Sequence, residues 1–349
     1  MRIAQVAPVI ESVPPKKYGG TERVVSALTE ELVRLGHDVT LFASGDSVTK
    51  AKLVSVYPRA IRDARLKDIY GPNYWTMLNI GTAYEHQKDF DIIHDHNGYL
   101  SLPTANIASC PTVMTLHGSF DPVNKQFYQK LDKRVSFVSI SKKQASTAPN
   151  LNWAGTVYNG LSFKNFPFKK NPGNYLLYVG RMSYEKGAHL AIEVAQYLDM
   201  PLFIAAKLDA LDLNYYQQEI GPQLGGQVKW VGEVEEKERN GLMSEALCLL
   251  HPITWPEPFG LTMIESMACG TPVIAFNQGS IPEVIEDGKT GYVVENTEGM
   301  INAILNIKKI NRTYCRDYAL ENFNSRKMAN GYLKIYEEII KNILFAPLS

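Results

Sequence analysis

The sequence predicts an α/β protein built from two doubly wound domains that face a cleft. Three observations carry this. Strand-like and helix-like hydrophobic patterns alternate along the chain. The chain has 349 residues, and a single core rarely grows beyond about 250–300. Residues 159–172 gather an Asn-Gly pair, Pro167, Lys169-Lys170 and Asn171-Pro172, with Gly173 next, which is the composition of an interdomain linker. The expected division is 1–165 and 166–327, each Rossmann-like, with 328–349 as a closing helix.

Residues 3–7 read as a buried first strand, and their apolar run is too short for a signal peptide. A helix follows over 21–35, with Val24, Val25, Leu28 and Leu32 on one face and Gly36 just past its end. Residues 39–43 give the next strand. The connection from 8 to 20 is long for such a unit, and it carries Pro14-Pro15-Lys16-Lys17-Tyr18-Gly19-Gly20. Loops of that length inside a compact unit are usually functional. Residues 91–94, 112–116 and 136–139 read as further strands. Beyond the linker, strands are expected at 176–179, 202–206, 228–231, 248–251 and 273–276. Helices are expected after Lys186-Gly187, over 235–246, from Leu261 and over 328–344. No low-complexity tract and no short repeat interrupts this order.

Composition excludes several classes. Apolar residues make up 45% and charged residues 21%, as in ordinary globular chains. Lys plus Arg equals Asp plus Glu at 36 each, so no basic excess points to nucleic acid. Residues 1–165 hold 19 Lys/Arg against 14 Asp/Glu. That bias reads either as scatter or as a face for an anionic acceptor or a membrane surface. Four cysteines without a Cys-x-x-Cys pair fit reduced, buried thiols and a cytoplasmic setting. No apolar run approaches 18 residues, so no membrane span is expected.

Ligands of doubly wound sheets bind outside the carboxyl ends of the strands. Gly20, His117, Arg181, Lys186 and the Glu257 loop all fall there. Glu257 precedes and Glu265 lies within the helix that starts near Leu261. Thr262, Glu265, Ser266 and Cys269 form its polar stripe, and Leu261, Ile264 and Ala268 its apolar one. Two carboxylates therefore flank a helix N-terminus, whose free amides attract anions. Carboxylates accept from hydroxyls such as those of a sugar or ribose. An anion seat beside hydroxyl acceptors suits a nucleotide-sugar.

Arg181 and Lys186 lie in a strand-to-helix turn bracketed by Gly180 and Gly187. Fixed cations there stabilise the charge of a leaving diphosphate without a metal. The alternative is a solvated loop. Gly19-Gly20-Thr21-Glu22 opens the first helix, where glycines admit a ligand to the backbone. It is not a G-x-G-x-x-G fingerprint, which disfavours classical NAD binding. Thr21 also reads as a plain N-cap. His117-Gly118 ends a strand, as a sugar contact or as a structural histidine. His94-Asp95-His96 resembles a metal cluster but lacks further ligands at useful spacing, so no metal is expected and His96 is assigned to the acceptor side. Tyr18 is assigned there too. Asp89-Phe90-Asp91 has a D-x-D pattern but leads into a strand, and reads as a solvated turn. Lys207 follows a strand, as a third phosphate cation or an end charge. Gly232-Glu233-Val234 follows another and offers backbone groups to a base. Tyr57, Tyr70, Tyr74, Trp75 and Tyr84 read either as a stacking surface for an acceptor or as core.

These residues together resemble family four of the retaining glycosyltransferases. The agreement runs through Gly19-Gly20-Thr21-Glu22, His117-Gly118, Gly180-Arg181, Glu185-Lys186-Gly187, Glu257 to Glu265, Ala268 to Ile274, Gly279-Ser280, Pro282-Glu283-Val284, Gly288 and Thr290-Gly291. The resemblance implies the two-domain GT-B fold, with the acceptor side in the first domain and the donor mainly in the second. It implies a nucleotide-diphospho-sugar donor, a UDP-sugar before GDP-mannose, and transfer of a hexose with retention. The acceptor is a sugar, a lipid-linked sugar or a small molecule. By the same resemblance Arg181 and Lys186 hold the diphosphate and Glu265 the ribose. Glu257 and the amides of Phe259, Gly260 and Leu261, with Thr262 beside them, hold the transferred sugar. His117 touches that sugar, Gly20 with Gly19 approaches the phosphate, and Gly232, Glu233 and Val234 take the base. The last helix returns to the first domain.

Where many relatives carry a glycine-rich turn, this chain has Ala205-Ala206-Lys207-Leu208-Asp209, so the role of Lys207 stays open. No side chain stands out as a covalent nucleophile, so the expected mechanism is front-face displacement with no cofactor and no metal. The expected place of action is the cytoplasm, including the inner face of the membrane. A nucleotide-sugar epimerase or hydrolase of the same fold, and a non-catalytic sugar-nucleotide-binding module, remain as alternatives.

Overall fold

The computed structural model describes residues 1–64, 66, 71–131 and 134–344. The chain divides into two compact units. One is Met1–Ser162 together with the segment from Asn324, and the other is Phe163–Phe323.

Among the described residues, the first unit holds a seven-stranded, all-parallel sheet. Its strands are β1 (Arg2–Val6), β2 (Asp38–Phe42), β3 (Lys52–Val54), β4 (Ile92–Asp95), β5 (Thr112–Leu116), β6 (Val135–Ser139) and β7 (Trp153–Thr156). Their order is β3-β2-β1-β4-β5-β6-β7. The central strands are mostly apolar because helices cover both faces of a parallel sheet, although Gln5, His94, Asp95 and Thr115 are buried among them. Phe42, Ile80, Met114 and Phe137 fill one side, and Val25, Leu41 and Ala43 the other. The helix Gly20–Arg34 buries Val24, Val25, Leu28 and Leu32. Each such side chain contributes about 1.5–3 kcal/mol on leaving water. The helix Ser325–Leu344 packs against it and brings Tyr332 and Tyr336 to full burial.

The second unit repeats the plan with β8 (Leu176–Arg181), β9 (Leu202–Lys207), β10 (Val228–Gly232), β11 (Cys248–His251), β12 (Val273–Phe276) and β13 (Gly291–Val294). Its order, β10-β9-β8-β11-β12-β13, is again parallel. The chain builds outward from β8 through β9 to β10. It then crosses back to lay β11 on the other side of β8. That reversal opens a crevice between the β8 and β11 loops, where such sheets bind ligands. In the first unit the same reversal lies between β1 and β4.

Gly187 shows how tightly the crevice is built. It sits at φ +76, and a Cβ there would lie 2.2 Å from the Pro252 carbonyl oxygen. Both features demand glycine. Gly187→Ala is expected to cost about 2 kcal/mol or more, since the left-handed backbone alone costs roughly 1–3. A urea titration checks this, and a midpoint equal to that of the parent would remove the assignment.

Candidate active site

The second unit carries most of the candidate residues. β8 ends on Arg181, whose register partner on β9 is Lys207. Two cations therefore stand side by side at the strand ends. Arg181 Nη2 donates to Glu185 Oε1 at 2.5 Å, and its Nε lies 3.7 Å from Asp212 Oδ2. Ser183 Oγ donates to the same Glu185 oxygen at 2.7 Å. Burial works against the Glu185 charge, but the Ser183 and Arg181 hydrogen bonds outweigh it and hold its pKa below the ordinary range. Lys207 Nζ meets Asp209 Oδ1 at 2.8 Å.

Across the crevice, the loop after β11 carries Glu257. Its Oε2 accepts from Lys186 Nζ at 2.5 Å and from Trp255 Nε1 at 2.8 Å. Lys186 Nζ also lies 4.8 Å from the centre of the Trp255 ring. The loop is braced from behind. The Ser280 amide donates to the Glu257 carbonyl at 2.9 Å, and Ser280 Oγ to the Phe259 carbonyl at 3.0 Å. Gly260, at φ +81, turns the chain into the helix Leu261–Ala268. No side chain caps that helix, so its first amides stay available to an anion. Phe259 is buried, whereas Leu261 and Thr262 are half-buried.

The polar stripe of this helix is buried. Glu265 is 2% exposed, and its Oε1 accepts from Arg239 Nη2 at 2.8 Å. Arg239 comes from the helix Glu236–Glu245. β10 closes on Gly232, with a register irregularity against β9 between Trp230 and Gly232. Glu233 and Val234 follow it, both largely covered.

In the first unit, Gly19 is the N-cap of the helix Gly20–Arg34, and Thr21 lies inside the first turn. The N-cap reading of Thr21 is therefore replaced by Gly19. Arg23 Nη2 donates to the Lys17 carbonyl at 3.0 Å and so braces the long loop. Tyr18 on that loop is 40% exposed. His117 follows β5, half-buried, with Nε2 3.0 Å from His96 Nδ1. His96 itself is buried beneath it. His94 is fully buried among Tyr336, Thr115 and Gln5. Asp95 accepts from Ser101, Asn97 and Tyr84. Asp91 holds Arg2 at 2.7 Å, so it anchors β1 instead of facing only solvent. Among the described residues, no group of three or more His, Cys, Asp or Glu is placed to hold a metal ion.

Of the aromatic group, Tyr84 is core, while Tyr57 packs against Trp75 at a tilt of 54°, with centroids 4.6 Å apart. Tyr74 is 58% exposed. Tyr70 lies outside the described residues. Sequence reasoning missed Trp255 and Arg239, and it named Ser280 without giving it a role. Trp255 alone left a signal, as a large side chain two positions before Glu257.

Residues 162–321 match Glycosyl transferases group 1, and residues 18–149 match Glycosyltransferase Family 4. The chain is 27% identical over 341 residues to a phosphatidyl-myo-inositol mannosyltransferase of Mycolicibacterium smegmatis, covering 88% of this chain and 84% of that one. The chain is a family-four glycosyltransferase with the GT-B fold. This glycosyltransferase is also 24% identical over 388 residues to spore coat protein SA of Bacillus subtilis, covering 97% of this chain and 100% of that one. Among solved structures it resembles AviGT4, a glycosyltransferase involved in avilamycin A biosynthesis, with TM-score 0.76 and 23% identity over 98% of each chain. It also resembles HepE of Anabaena in complex with UDP and glucose, with TM-score 0.75 and 18% identity over 97% of this chain and 100% of that one.

Burial pushes two histidines of this glycosyltransferase down to about 4, His117 and His251. An ordinary unfolded histidine titrates near 6.5. Between those values the unfolded chain binds more protons, so stability rises with pH. It is complete above about 6.5 and is lost as pH falls toward 4. Each histidine is expected to cost on the order of 1 kcal/mol over the first pH unit below 6.5. Urea midpoints at pH 7 and pH 5.5 read this directly, and equal midpoints would contradict the burial.

Proposed function

We propose that this glycosyltransferase moves a hexose from a nucleotide-diphospho-sugar, a UDP-sugar before GDP-mannose, to an acceptor hydroxyl with retention. One observation carries the reading: an uncapped helix start at Gly260–Leu261 on the same loop as Glu257, whose carboxylate pairs with Lys186. A diphosphate fits the amides and cations, and sugar hydroxyls fit the carboxylate. In this reading Arg181 and Lys186 hold the diphosphate, Glu265 the ribose and Glu257 the sugar. The structure of HepE with UDP-glucose supports a uridine donor. The mannosyltransferase relatives support a lipid-linked acceptor. A sugar or small-molecule acceptor fits the same chemistry. A peripheral membrane contact through residues 1–165, on the cytoplasmic side, belongs to the proposal.

The proposed step is front-face displacement. The acceptor oxygen bonds to the anomeric carbon as the bond to the β-phosphate oxygen breaks. The electron pair goes to the diphosphate, and one of its oxygens takes the acceptor proton. The protein acts by positioning and by fixed charge, with no metal and no cofactor.

A thermal-shift screen of nucleotide-sugars tests the donor. A true donor at 100 times its Kd is expected to stabilise by about 2.7 kcal/mol. No stabilisation by any nucleotide-sugar would remove the reading. Exhaustive chelation is expected to leave transfer unchanged, and loss restored by Mg²⁺ would overturn metal independence. Donor consumed at full rate without an acceptor would replace transfer by hydrolysis or epimerisation, and binding without turnover would leave a binding module.

A further inference from the structure

Beneath His117 lies a continuous chain of buried polar groups. His117 Nε2 meets His96 Nδ1 at 3.0 Å, and His96 Nε2 meets Gln5 Oε1 at 2.9 Å. Gln5 Nε2 donates to the Tyr336 hydroxyl at 3.3 Å, and that hydroxyl meets His94 Nδ1 at 2.5 Å. His94 Nε2 meets Thr115 Oγ1 at 2.7 Å, which meets the Tyr332 hydroxyl at 2.9 Å. Gln5, His94, Thr115, Tyr332 and Tyr336 are fully buried, and His96 is 5% exposed. Among the described residues, His117 Nδ1 makes no hydrogen bond.

A glutamine in the middle of a buried first strand is costly unless both ends of its amide are satisfied. Here both are. Burial holds His94 and His96 well below the ordinary histidine range, so each is neutral and carries one ring proton. The directions are then coupled. Gln5 Oε1 can only accept, so His96 Nε2 carries the proton. His96 Nδ1 is therefore the acceptor, and His117 Nε2 must donate to it. His117 Nδ1 is left as a bare lone pair. On the other branch, the Gln5 amide donates to Tyr336, Tyr336 to His94 Nδ1, and His94 Nε2 to Thr115.

We infer that Gln5, through His96, is a positioning residue that locks His117 in the Nε2–H tautomer, so that its Nδ1 accepts from a donor hydroxyl of the bound ligand. The ligand part of this rests on the sugar contact proposed for His117, whereas the tautomer does not. The reverse orientation of the Gln5 amide would reverse every proton in the chain. His117 would then present a donor, suited to a phosphate or carbonyl oxygen instead of a hydroxyl. The amide on β1 thus selects which ligand group His117 can meet.

The test is ¹⁵N spectroscopy of the full chain, labelled at histidine and assigned by His117→Asn. In the parent, His117 is expected to show a pyridine-like Nδ1 and a pyrrole-like Nε2. Gln5→Met and His96→Phe cut the chain at two points, and thermal unfolding confirms that each is folded. In both, the two His117 shifts are expected to move toward each other, as the second tautomer becomes populated. Gln5→Glu, whose carboxylate can only accept, is expected to keep the parent pattern. A pyrrole-like Nδ1 in the parent, or unchanged shifts in both folded cut variants, would overturn the inference. Normal transfer by His117→Ala would remove the sugar contact but leave the tautomer result standing, so the two failures are distinct.

Discussion

Lys186→Ala is expected to lower transfer by about 10²–10³-fold, the cost of removing one preorganised donor from developing charge. Arg181→Ala should fall in the same range. Lys186 does two things at once. Its ammonium is a fixed cation at the crevice between the β8 and β11 loops. It also holds Glu257 Oε2 at 2.5 Å, beside the Trp255 indole. Alanine removes the charge and leaves the Glu257 carboxylate with the Trp255 N–H as its remaining partner of the two. Side chains of the Lys186–Glu257 pair are only 16% and 12% exposed, so solvent does not fully replace the lost contact. If the interaction is made mainly in the transition state, kcat and kcat/KM fall together. If the ammonium mainly binds ground-state diphosphate, KM rises with kcat nearly unchanged. Transfer within threefold of the parent for both variants would end the diphosphate assignment.

Arg239→Ala is expected to destabilise the second unit by about 3–5 kcal/mol, as removal of one member of a buried ion pair does. Glu265 would remain, 2% exposed, without the guanidinium at 2.8 Å. Denaturant unfolding of the second unit's transition measures the loss. The double variant Arg239→Met with Glu265→Leu should recover much of the stability, since apolar replacement of a buried pair is often neutral. It should not recover nucleotide binding if Glu265 also holds a ribose. Stability and binding thus part company in one pair of variants. A change below about 1 kcal/mol in Arg239→Ala would show that the pair is not stabilised as its burial suggests.

Much of the fold was legible because the central strands of a parallel sheet are short apolar runs. β1, β2, β4, β5, β6, β8, β9, β11 and β12 all announce themselves this way, and β10 was legible although it is an edge strand with Lys229 exposed. β3, β7 and β13 lie at the sheet edges and are less apolar, so Lys52–Val54, Trp153–Thr156 and Gly291–Val294 left no such run. The helix Gly71–Glu85 escaped for another reason. Its apolar residues are spread around the axis, with Pro72 and Gly81 inside, so no stripe emerges. At the candidate site, glycines and charges beside strand ends were legible one by one. Their pairings were not. Lys186 meets Glu257 across 71 positions, and Arg239 meets Glu265 across 26, which only the crossover back to β11 brings about. Glu265 and Ser266 were legible as part of the polar stripe of their helix, but not as buried residues. Burial is paid for there by Arg239 and by the Thr271 carbonyl.

The helix Ser325–Leu344 belongs to the first unit although the whole second unit lies between it and the rest of that unit in the chain. Synthesis runs from the N-terminus, so the first unit to begin is the last to be completed. Until residue 336 has left the ribosome, β1 and β4 present Gln5 and His94 to an empty groove, with no Tyr332 or Tyr336 to accept or donate. The second unit, continuous from Phe163 to Phe323, needs no such wait. A released chain ending before residue 324 should therefore resist protease in its later half and yield in its earlier half.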